Sequence, residues 1–290
     1  MAANADWYGS ARVGLQSLDT GGDSEITVRG YAARMGFKGE HDLGNGMMSY
    51  GKYEWAVGTE GDSANVTRRH AYVGLKGDFG SVMVGQTYHT FYNFAYGPTD
   101  QPWWGAGYAV VLSPGRTAQA LTYAGSAGAV SFGASLYMDD SSTDNTGAPN
   151  DMDKTELGVS FDAGVATFAL AISDQDEIAG VDPESVTMIT AHGIQAGPVD
   201  LAIGYQTQDV GNSTPTALII HAGAMGGYLH FESLDSDGGA SDPTSLTLGY
   251  TQSIGTKTTM WYEYQAYDAD TGNSDDDEDY LRAVLKVDWD

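Results

Sequence analysis

Polar and apolar residues alternate with a period of two along most of the chain, most clearly in its first and last twenty residues. Because successive side chains of a β-strand point to opposite faces, such alternation predicts strands with one apolar and one polar face. The apolar positions of the two terminal segments are Trp7, Gly9, Ala11, Val13 and Leu15, and then Leu281, Ala283, Leu285, Val287 and Trp289.

The same alternation recurs through the interior of the chain and predicts about sixteen strands. Examples of one apolar face are Tyr31/Ala33/Met35/Phe37, Tyr53/Trp55/Val57, Val130/Phe132/Ala134/Leu136, Leu157/Val159/Phe161 and Leu246/Leu248/Tyr250. Short connections such as 161–164, 196–198 and 253–256 alternate with long polar ones at 139–153, 173–184, 234–242 and 268–279. An even number of strands with short turns at one end and long loops at the other is typical of a transmembrane antiparallel β-barrel. We therefore expect a single barrel domain over residues 1–290.

Two other architectures explain the alternation less well. A soluble barrel or sandwich would turn the apolar face inward, but the polar face carries bulky charged residues such as Arg34, Lys52, Glu54 and Arg69, which a dry interior cannot hold. A helical membrane protein is excluded, because no window approaches the roughly 18 uninterrupted apolar residues that a spanning helix needs. A closed sheet satisfies every backbone group in hydrocarbon, and a wet lumen accepts the charges.

The amino-acid composition argues against several classes of binding partner. The 290 residues carry 13 Lys and Arg against 39 Asp and Glu, a formal net charge of −26, which argues against nucleic acid. Cysteine is absent, so there is no disulfide framework and no thiolate metal site. We expect an exported protein whose signal peptide is absent from this sequence, with Met1 to Ala5 as the remnant of its processing.

Two stretches resemble the general trimeric porins of Gram-negative bacterial outer membranes. The first runs from Tyr31 to Glu40 and continues through the turn at 42–46, and the second runs from Arg69 to Gln86. The resemblance implies a barrel of sixteen strands that assembles as a homotrimer in outer-membrane lipid and lipopolysaccharide. It also implies passive diffusion of ions and small hydrophilic solutes, without a cofactor.

The segment from Thr87 to Gly115 breaks the alternation and is rich in aromatic residues and glycine. The resemblance implies that this segment, about 87–115, folds into the barrel as a constriction loop and faces a ladder of arginines. Arg34, Arg69 and Arg116 match ladder positions of the family, and Arg12 lies two residues from a further one, where this chain has Ser10. The expected constriction residues are Arg12, Arg34, Arg69, Arg116, Glu54, Asp100, Trp103, Trp104, Tyr88 and Tyr92.

One departure from the family concerns the acidic side of the constriction. Family loops usually supply two carboxylates, whereas here Asp100 is alone and Gln101 to Trp104 follow it. Either Glu54 on the wall supplies the missing charge, or the constriction is narrower and more aromatic. Trp103 and Trp104 either pack the loop against the wall or a neighbouring subunit, or contact the permeating solute.

Three functional readings remain open. The first is a general diffusion pore with a mild cation preference, because acidic loops at the mouth concentrate cations. The second is a substrate-selective uptake channel, which the aromatic loop favours. The third is a structural or adhesive barrel whose acidic loops bind a partner.

Enzymatic and metal chemistry is not expected. A hydrolase would need a nucleophile beside His89 and Asp100 or beside His230 and Glu232, and neither pair has a nucleophile motif. The six histidines lack metal-ligand spacing. The acidic loops are weak calcium candidates through Asp268, Asp270 and Asp275, although the glycine of this run is out of register for an EF-hand.

Overall fold

The computed structural model describes residues 4–59, 65–138, 154–175, 184–239 and 241–289, and this part is almost entirely β-sheet. The long connection at 139–153 and most of the one at 173–184 lie outside the described residues. The strands are β1 (Asn4–Asp19), β2 (Ser24–Gly30), β3 (Arg34–Gly44), β4 (Met47–Val57), β5 (Val66–Gly77), β6 (Gly80–Thr87), β7 (Thr117–Ala127), β8 (Val130–Tyr137), β9 (Lys154–Asp162), β10 (Thr167–Gln175), β11 (Glu184–Ala196), β12 (Val199–Val210), β13 (Thr216–Ala224), β14 (Gly227–Asp235), β15 (Thr244–Gly255), β16 (Thr258–Asp268) and β17 (Glu278–Trp289).

The strands form one closed antiparallel sheet. Each strand from β3 to β17 pairs with the next along the chain, and β17 pairs back with β1 from Gly9↔Trp289 to Asp19↔Asp279. Strands β2 and β3 share one position, because β2 pairs with the second half of β1 and β3 with the first half. The barrel therefore has sixteen strand positions and closes on itself through the pairing of β17 with β1, which confirms the predicted fold.

The junction between β2 and β3 changes which residues face outward. Val28 in β2 and Met35 in β3 both point out, so the residues between them shift the alternation by one position. Ala32 at the centre of this break has a positive φ of 51°. Tyr31 and Ala33, predicted to share the apolar outer face with Met35, are instead 1% and 4% exposed and face the interior. That part of the prediction is wrong, because a local irregularity replaces the expected continuous strand.

The outer surface of the barrel is apolar, as a lipid-facing surface requires. Large apolar side chains stand out from every part of it and have no protein neighbour to cover them, among them Leu15, Val73, Val84, Leu157, Phe168, Ile189, Leu248 and Leu285. An apolar band of this extent is stable only in contact with hydrocarbon. Among the described residues, no helix has both the length and the apolarity to cross a bilayer.

The connections segregate as the sequence predicts. Turns of a few residues join β3 to β4, β5 to β6 and every second pair onward, all at one end of the barrel. Most connections at the opposite end are longer, and the longest of them is the segment between Thr87 and Thr117. We refer to residues 88–116 as the constriction loop.

The constriction loop lies inside the barrel and has its own apolar core. A single π-helical turn, Tyr92–Tyr96, begins one turn beyond the end of β6. Around it, loop residues pack on inward-facing side chains of β10, β11 and β13. The buried members of this cluster are Phe91, Ala95, Tyr96, Ala171, Val186, Met188 and Ile219.

Carboxylates of the barrel wall hold the loop backbone. The Glu156 carboxylate accepts the Phe91 N–H at 2.8 Å. The Glu232 carboxylate accepts the N–H groups of Gly107, Tyr108 and Ala109 at 2.7, 2.8 and 3.1 Å. Both carboxylates are buried, and at such a place an unmade bond to a backbone N–H is costly.

The far part of the loop reaches the opposite side of the barrel and returns. The Trp104 N–H donates to Glu263 on β16 at 3.1 Å, and the Trp103 indole donates to Thr251 on β15 at 3.0 Å. On its way back, Leu112 exchanges two hydrogen bonds with the side-chain amide of Gln206 on β12. The loop therefore covers the wall from β8 to β16 and faces the wall formed by β1 and β3 to β5.

Substitutions on the outward face of the barrel test directly whether this face contacts lipid. Val159→Arg places a charge on the lipid-facing side of β9, whereas Ser160→Arg places the same charge one residue on, facing the lumen. We expect Val159→Arg to lower the free energy of unfolding by about 2 kcal/mol, because hydrocarbon cannot solvate the charge. Urea titration in phospholipid vesicles measures both variants. Equal stability of the two would contradict a lipid-facing Val159.

The loop anchor gives a second prediction. Glu232→Gln removes the charge and one acceptor from a site that holds three backbone N–H groups, so stability should fall by about 1–3 kcal/mol and the loop should become cleavable by protease. Glu25→Gln, on the exposed β2, makes the same chemical change outside the anchor. Melting in detergent combined with limited proteolysis measures both effects. A wild-type melting and cleavage pattern for Glu232→Gln would show that the loop does not depend on this carboxylate.

Candidate channel constriction

Four arginines form a row, three of them on the wall that faces the constriction loop and the fourth at the end of the loop. Arg12 comes from β1, Arg34 from the start of β3 and Arg69 from β5, while Arg116 ends the constriction loop itself. The Arg12 Nε donates to Ser10 at 3.1 Å, so the residue at the family's ladder position supports its neighbour. The structure thus brings together all four arginines that the sequence singles out.

Glu54 lies within the arginine row and not across from it. Its carboxylate is 2.7 Å from the Nε of Arg69, 3.1 Å from the Nζ of Lys52 and 3.9 Å from Arg34. The Tyr8 hydroxyl also donates to it at 2.8 Å. Glu54 therefore reduces repulsion among the basic side chains and supplies no charge on the loop side.

A bulge in β5 turns two neighbouring side chains toward Glu54. Glu54 pairs with His70 and Trp55 with Arg68, so Arg69 has no partner in the register. Both Arg69 and His70 then approach the same carboxylate, at 2.7 and 3.7 Å. A bulge re-aims side chains in this way, and here it places Arg69 in the lumen while Arg68 stays outside.

The root of the loop forms a stack that ends on the loop carboxylate. The Arg116 guanidinium lies 4.0 Å from the centre of the Tyr88 ring, and Tyr88 stacks on Tyr92 at 3.6 Å with an interplanar angle of 6°. The Tyr92 hydroxyl donates to Asp100 at 3.0 Å. Burial raises the pKa of Asp100 above its ordinary value, opposed by the Tyr92 hydrogen bond. Asp100 is therefore a partly buried, hydrogen-bonded acid and a weak counter-charge to the arginines.

The tip of the loop carries the two tryptophans to the other end of the arginine row. Trp103 stacks on Trp261 of the wall at 4.4 Å, with the Arg12 guanidinium 5.6 Å from its ring centre. Trp104 is 40% exposed and meets the ring of Tyr31 edge-on at 5.2 Å. Trp103 thus packs the loop against the wall, and Trp104 presents a ring to the lumen.

Several residues of the site were not singled out from the sequence. Tyr31 braces Trp104, Lys52 and His70 contact Glu54, and Lys286 lies 5.4 Å from the Trp103 ring. The alternation places Lys52 and Lys286 on the lumen face, so that signal was available in the sequence. No such signal was available for Tyr31, because the alternation assigns it to the apolar outer face.

The two histidine pairs considered for hydrolysis are engaged elsewhere. His89 contacts the Thr122 hydroxyl at 2.7 Å and the Thr117 carbonyl at 2.9 Å, and not Asp100. His230 does meet Glu232, at 3.0 Å, but the pair is buried and the carboxylate holds the loop backbone. Neither arrangement is a catalytic one.

The calcium candidates lie at the rim with the long loops. Asp268 accepts the backbone N–H of Asp270 at 2.9 Å, and Asp270 accepts that of Asp242 at 3.2 Å. Within the described residues, no group of three or more His, Asp or Glu side chains is arranged to hold a metal ion. Asp268, Asp270 and Asp275 are thus not gathered into one ligand set, and calcium binding stays a prediction.

Solved structures with the same fold include porins. An anion-selective porin from Comamonas acidovorans superposes with a TM-score of 0.78 at 17% identity, over 99% of this chain and 100% of that one. Salmonella typhi OmpF in complex with daunomycin gives 0.77 at 19% identity, over 98% and 97%. Vibrio cholerae OmpT in its trimer form gives 0.74 at 17% identity, over all of both chains. At these identities the likeness concerns the fold.

Sequence relatives agree over part of the chain. The major outer membrane protein P.IB of Neisseria gonorrhoeae is 29% identical over 100 residues, 29% of this chain and 28% of the relative. The P.IB protein of Neisseria meningitidis serogroup B is 31% identical over 97 residues, 30% and 29% of the two chains. The matched stretch thus spans less than a third of these relatives.

A family model covers nearly the whole chain. The model for Gram-negative porins matches residues 1–285. Together with the outer-membrane relatives, it places the protein in the outer membrane and outside the enzyme classes. The chain is therefore a member of the Gram-negative porin family.

Proposed function

We propose that this porin is a passive, water-filled channel through which ions and small hydrophilic solutes diffuse across the outer membrane. The observation that carries the proposal is the charged row on the lumen wall beside the constriction loop. Although the loop fills much of the lumen, the side chains of Arg34 and Lys52 keep 26% and 25% of their surface accessible to solvent. Charged groups remain in such a place only where water reaches them.

Planar-bilayer recording separates this proposal from an adhesive barrel with a closed lumen. We expect steady single-channel currents whose conductance rises roughly in proportion to KCl concentration, because the permeating ions carry the current through water. Insertion into the bilayer is verified separately by protease protection in vesicles. Inserted protein without measurable conductance would refute the channel.

We further propose that two opposing charge zones set the ion preference. At the constriction, five basic residues (Arg12, Arg34, Lys52, Arg69 and Arg116) stand against two carboxylates, Glu54 within the row and Asp100 in the loop, which leaves an excess of three formal positive charges. The connections at the long-loop end, apart from the constriction loop, contain 17 Asp and Glu and no Lys or Arg. These connections are 20–23, 58–65, 138–153, 176–183, 211–215, 236–243 and 269–277.

The two zones act over different distances. Acidic loops at the mouth act on ions across many ångströms of water, so salt screens them, whereas the arginines act within a few ångströms of the ion path. The Debye length is about 30 Å at 0.01 M salt and about 3 Å at 1 M. We therefore expect the acidic loops to give a mild cation preference at low salt. At high salt the loops are screened, and the constriction should favour anions.

The reversal potential across a KCl gradient tests the two-zone proposal. With twofold gradients centred near 0.01 M and near 1 M, we expect a cation preference in the first and an anion preference in the second. The sign changes because salt removes the field of the loops before that of the constriction. The same preference at both salt levels would contradict two opposing zones.

A matched pair of neighbouring arginines tests the constriction. Arg69→Gln removes a lumen charge, and Arg68→Gln removes the adjacent charge that points outside. A unit charge about 6 Å from an ion in water contributes about 0.7 kcal/mol, with opposite sign for a cation and an anion, so Arg69→Gln should raise the cation-to-anion permeability ratio by up to about tenfold and leave the barrel folded. Arg68→Gln should match the wild type. Equal ratios for the two variants would place the ion path elsewhere.

We propose that the functional unit is a homotrimer. Support comes from the trimer form of the Vibrio cholerae neighbour and from an apolar recess of about 580 Å³ that includes outward-facing residues of β3 to β6. The recess is lined in part by Gly39, Gly51, Val73 and Val84, so the side chains of a second copy can enter it. Native mass spectrometry in mild detergent should give three chains. A monomer as the sole species would count against this assembly.

A further inference from the structure

We propose that the constriction binds small organic anions that carry a planar ring, with aromatic carboxylates as the ligand class. The carboxylate would lie on the arginine row and the ring against the aromatic side chains of the loop. This inference rests on the proposed channel function and specifies which solutes the channel favours.

The arginine row keeps hydrogen-bond donors for a ligand. Within the described part of the chain, Arg12 donates only through Nε, to Ser10 at 3.1 Å. Arg116 likewise uses Nε, toward His70 at 3.3 Å. The two terminal nitrogens of each guanidinium therefore face the lumen without a hydrogen bond in that part. A guanidinium fork of this kind binds a carboxylate through two parallel hydrogen bonds.

Aromatic surfaces flank this row at both of its ends. At the loop root, Tyr88 carries the Arg116 guanidinium on one face and Tyr92 on the other. At the tip, Trp103 lies beside Arg12 and Trp104 presents its ring to the lumen. Both faces of Tyr88 are thus covered, so a planar ring gains its stacking contact at the tip, on Trp104, while its carboxylate reaches a guanidinium of the row.

Other carboxylates of the lumen, which could compete with a ligand for the arginines, already accept hydrogen bonds from the constriction loop. Glu156, Glu232 and Glu263 face the lumen but are buried beneath the loop, and each accepts backbone N–H groups of the loop. Asp100 is held by Tyr92. Glu54 contacts the arginine row directly, and Asp288, which pairs across the sheet with Ser10, is bonded to Lys286 at 2.8 Å. The row therefore keeps an excess of positive charge for an anionic ligand.

Trp104 is held in place for this role by the break in the barrel wall. The break between β2 and β3 turns Tyr31 inward, and Tyr31 meets both Trp104 and Trp261 edge-on at 5.2 and 5.7 Å. The Trp104 N–H is fixed by Glu263 at 3.1 Å. The Trp104 ring is thus braced by Tyr31 on a backbone that is itself fixed, so it loses little conformational freedom when a ligand stacks on it.

Three probes of similar size separate ring from charge in single-channel recordings with KCl on both sides. Benzoate has both, cyclohexanecarboxylate has the charge without the planar ring, and benzylammonium has the ring with the opposite charge. We expect benzoate to reduce the current at a concentration about fivefold lower than cyclohexanecarboxylate, from stacking, and benzylammonium to have the weakest effect. Equal potency of the two carboxylates, or of benzoate and benzylammonium, would overturn the inference.

Variants locate the site. Trp104→Leu should remove the fivefold advantage of benzoate, and Trp104→Phe should keep most of it. Trp7 lies on the outer surface and is 67% exposed, so the control variant Trp7→Leu should leave the advantage unchanged. Tyr88→Leu and Arg12→Gln probe the two ends of the row separately if Trp104→Leu fails to fold. Retention of the benzoate preference by all folded lumen variants would refute the site. Normal KCl conductance without a benzoate preference would refute this inference alone, whereas no conductance would refute the channel itself.

Discussion

Every backbone N–H that a loop carries into the barrel needs an acceptor, and this requirement shapes the channel. The constriction loop enters an interior where bulk water is largely displaced, so its polar backbone must bond to the wall. Glu156, Glu232 and Glu263 meet this need along three separate strands. Carboxylates that could have faced the arginines across the lumen are thus used to hold the loop.

The charge balance of the constriction follows from this use of the acids. Arg12, Arg34, Arg69 and Lys52 remain on the wall and Arg116 at the end of the loop, with Glu54 among them and Asp100 bonded to Tyr92. Arg282 is separate from this row. It is buried beneath the loop, 4.2 Å from the Tyr280 ring and 3.7 Å from Glu263. The opening is therefore lined by cations and aromatic rings, which differs from a row of arginines facing a row of acids.

The sequence predicts the barrel well because the signal for it is local. Few architectures combine strands of alternating polarity, joined by short turns and long loops in turn, with a hydrogen-bond partner for every backbone group. The resemblance to porins, and not the alternation alone, identifies Arg34, Arg69 and Arg116, because Arg69 enters the lumen through the bulge in β5 and Arg116 ends the constriction loop. Arg12 follows from the alternation of β1.

Features that depend on distant partners were beyond this reasoning. Glu232 meets the loop backbone across 123 to 125 residues of chain, so nothing near it in sequence shows that it is an anchor. The position of Glu54 depends on a bulge that aligns it with both Arg69 and His70. Tyr31 was assigned to the wrong face because Tyr31, Ala33, Met35 and Phe37 are all apolar, and only the break at Ala32 reverses the first two.

The positive charge of the constriction depends on the wall carboxylates being bonded to the loop and not free in the lumen. A cryo-electron-microscopy structure in lipid nanodiscs, at a resolution that shows side chains, measures this directly. We expect the Glu232 carboxylate within hydrogen-bond distance of the backbone nitrogens of residues 107–109, and Glu263 within reach of the Trp104 nitrogen. A loop displaced from these strands, with Glu232 and Glu263 turned toward Arg12 and Arg34, would contradict the account.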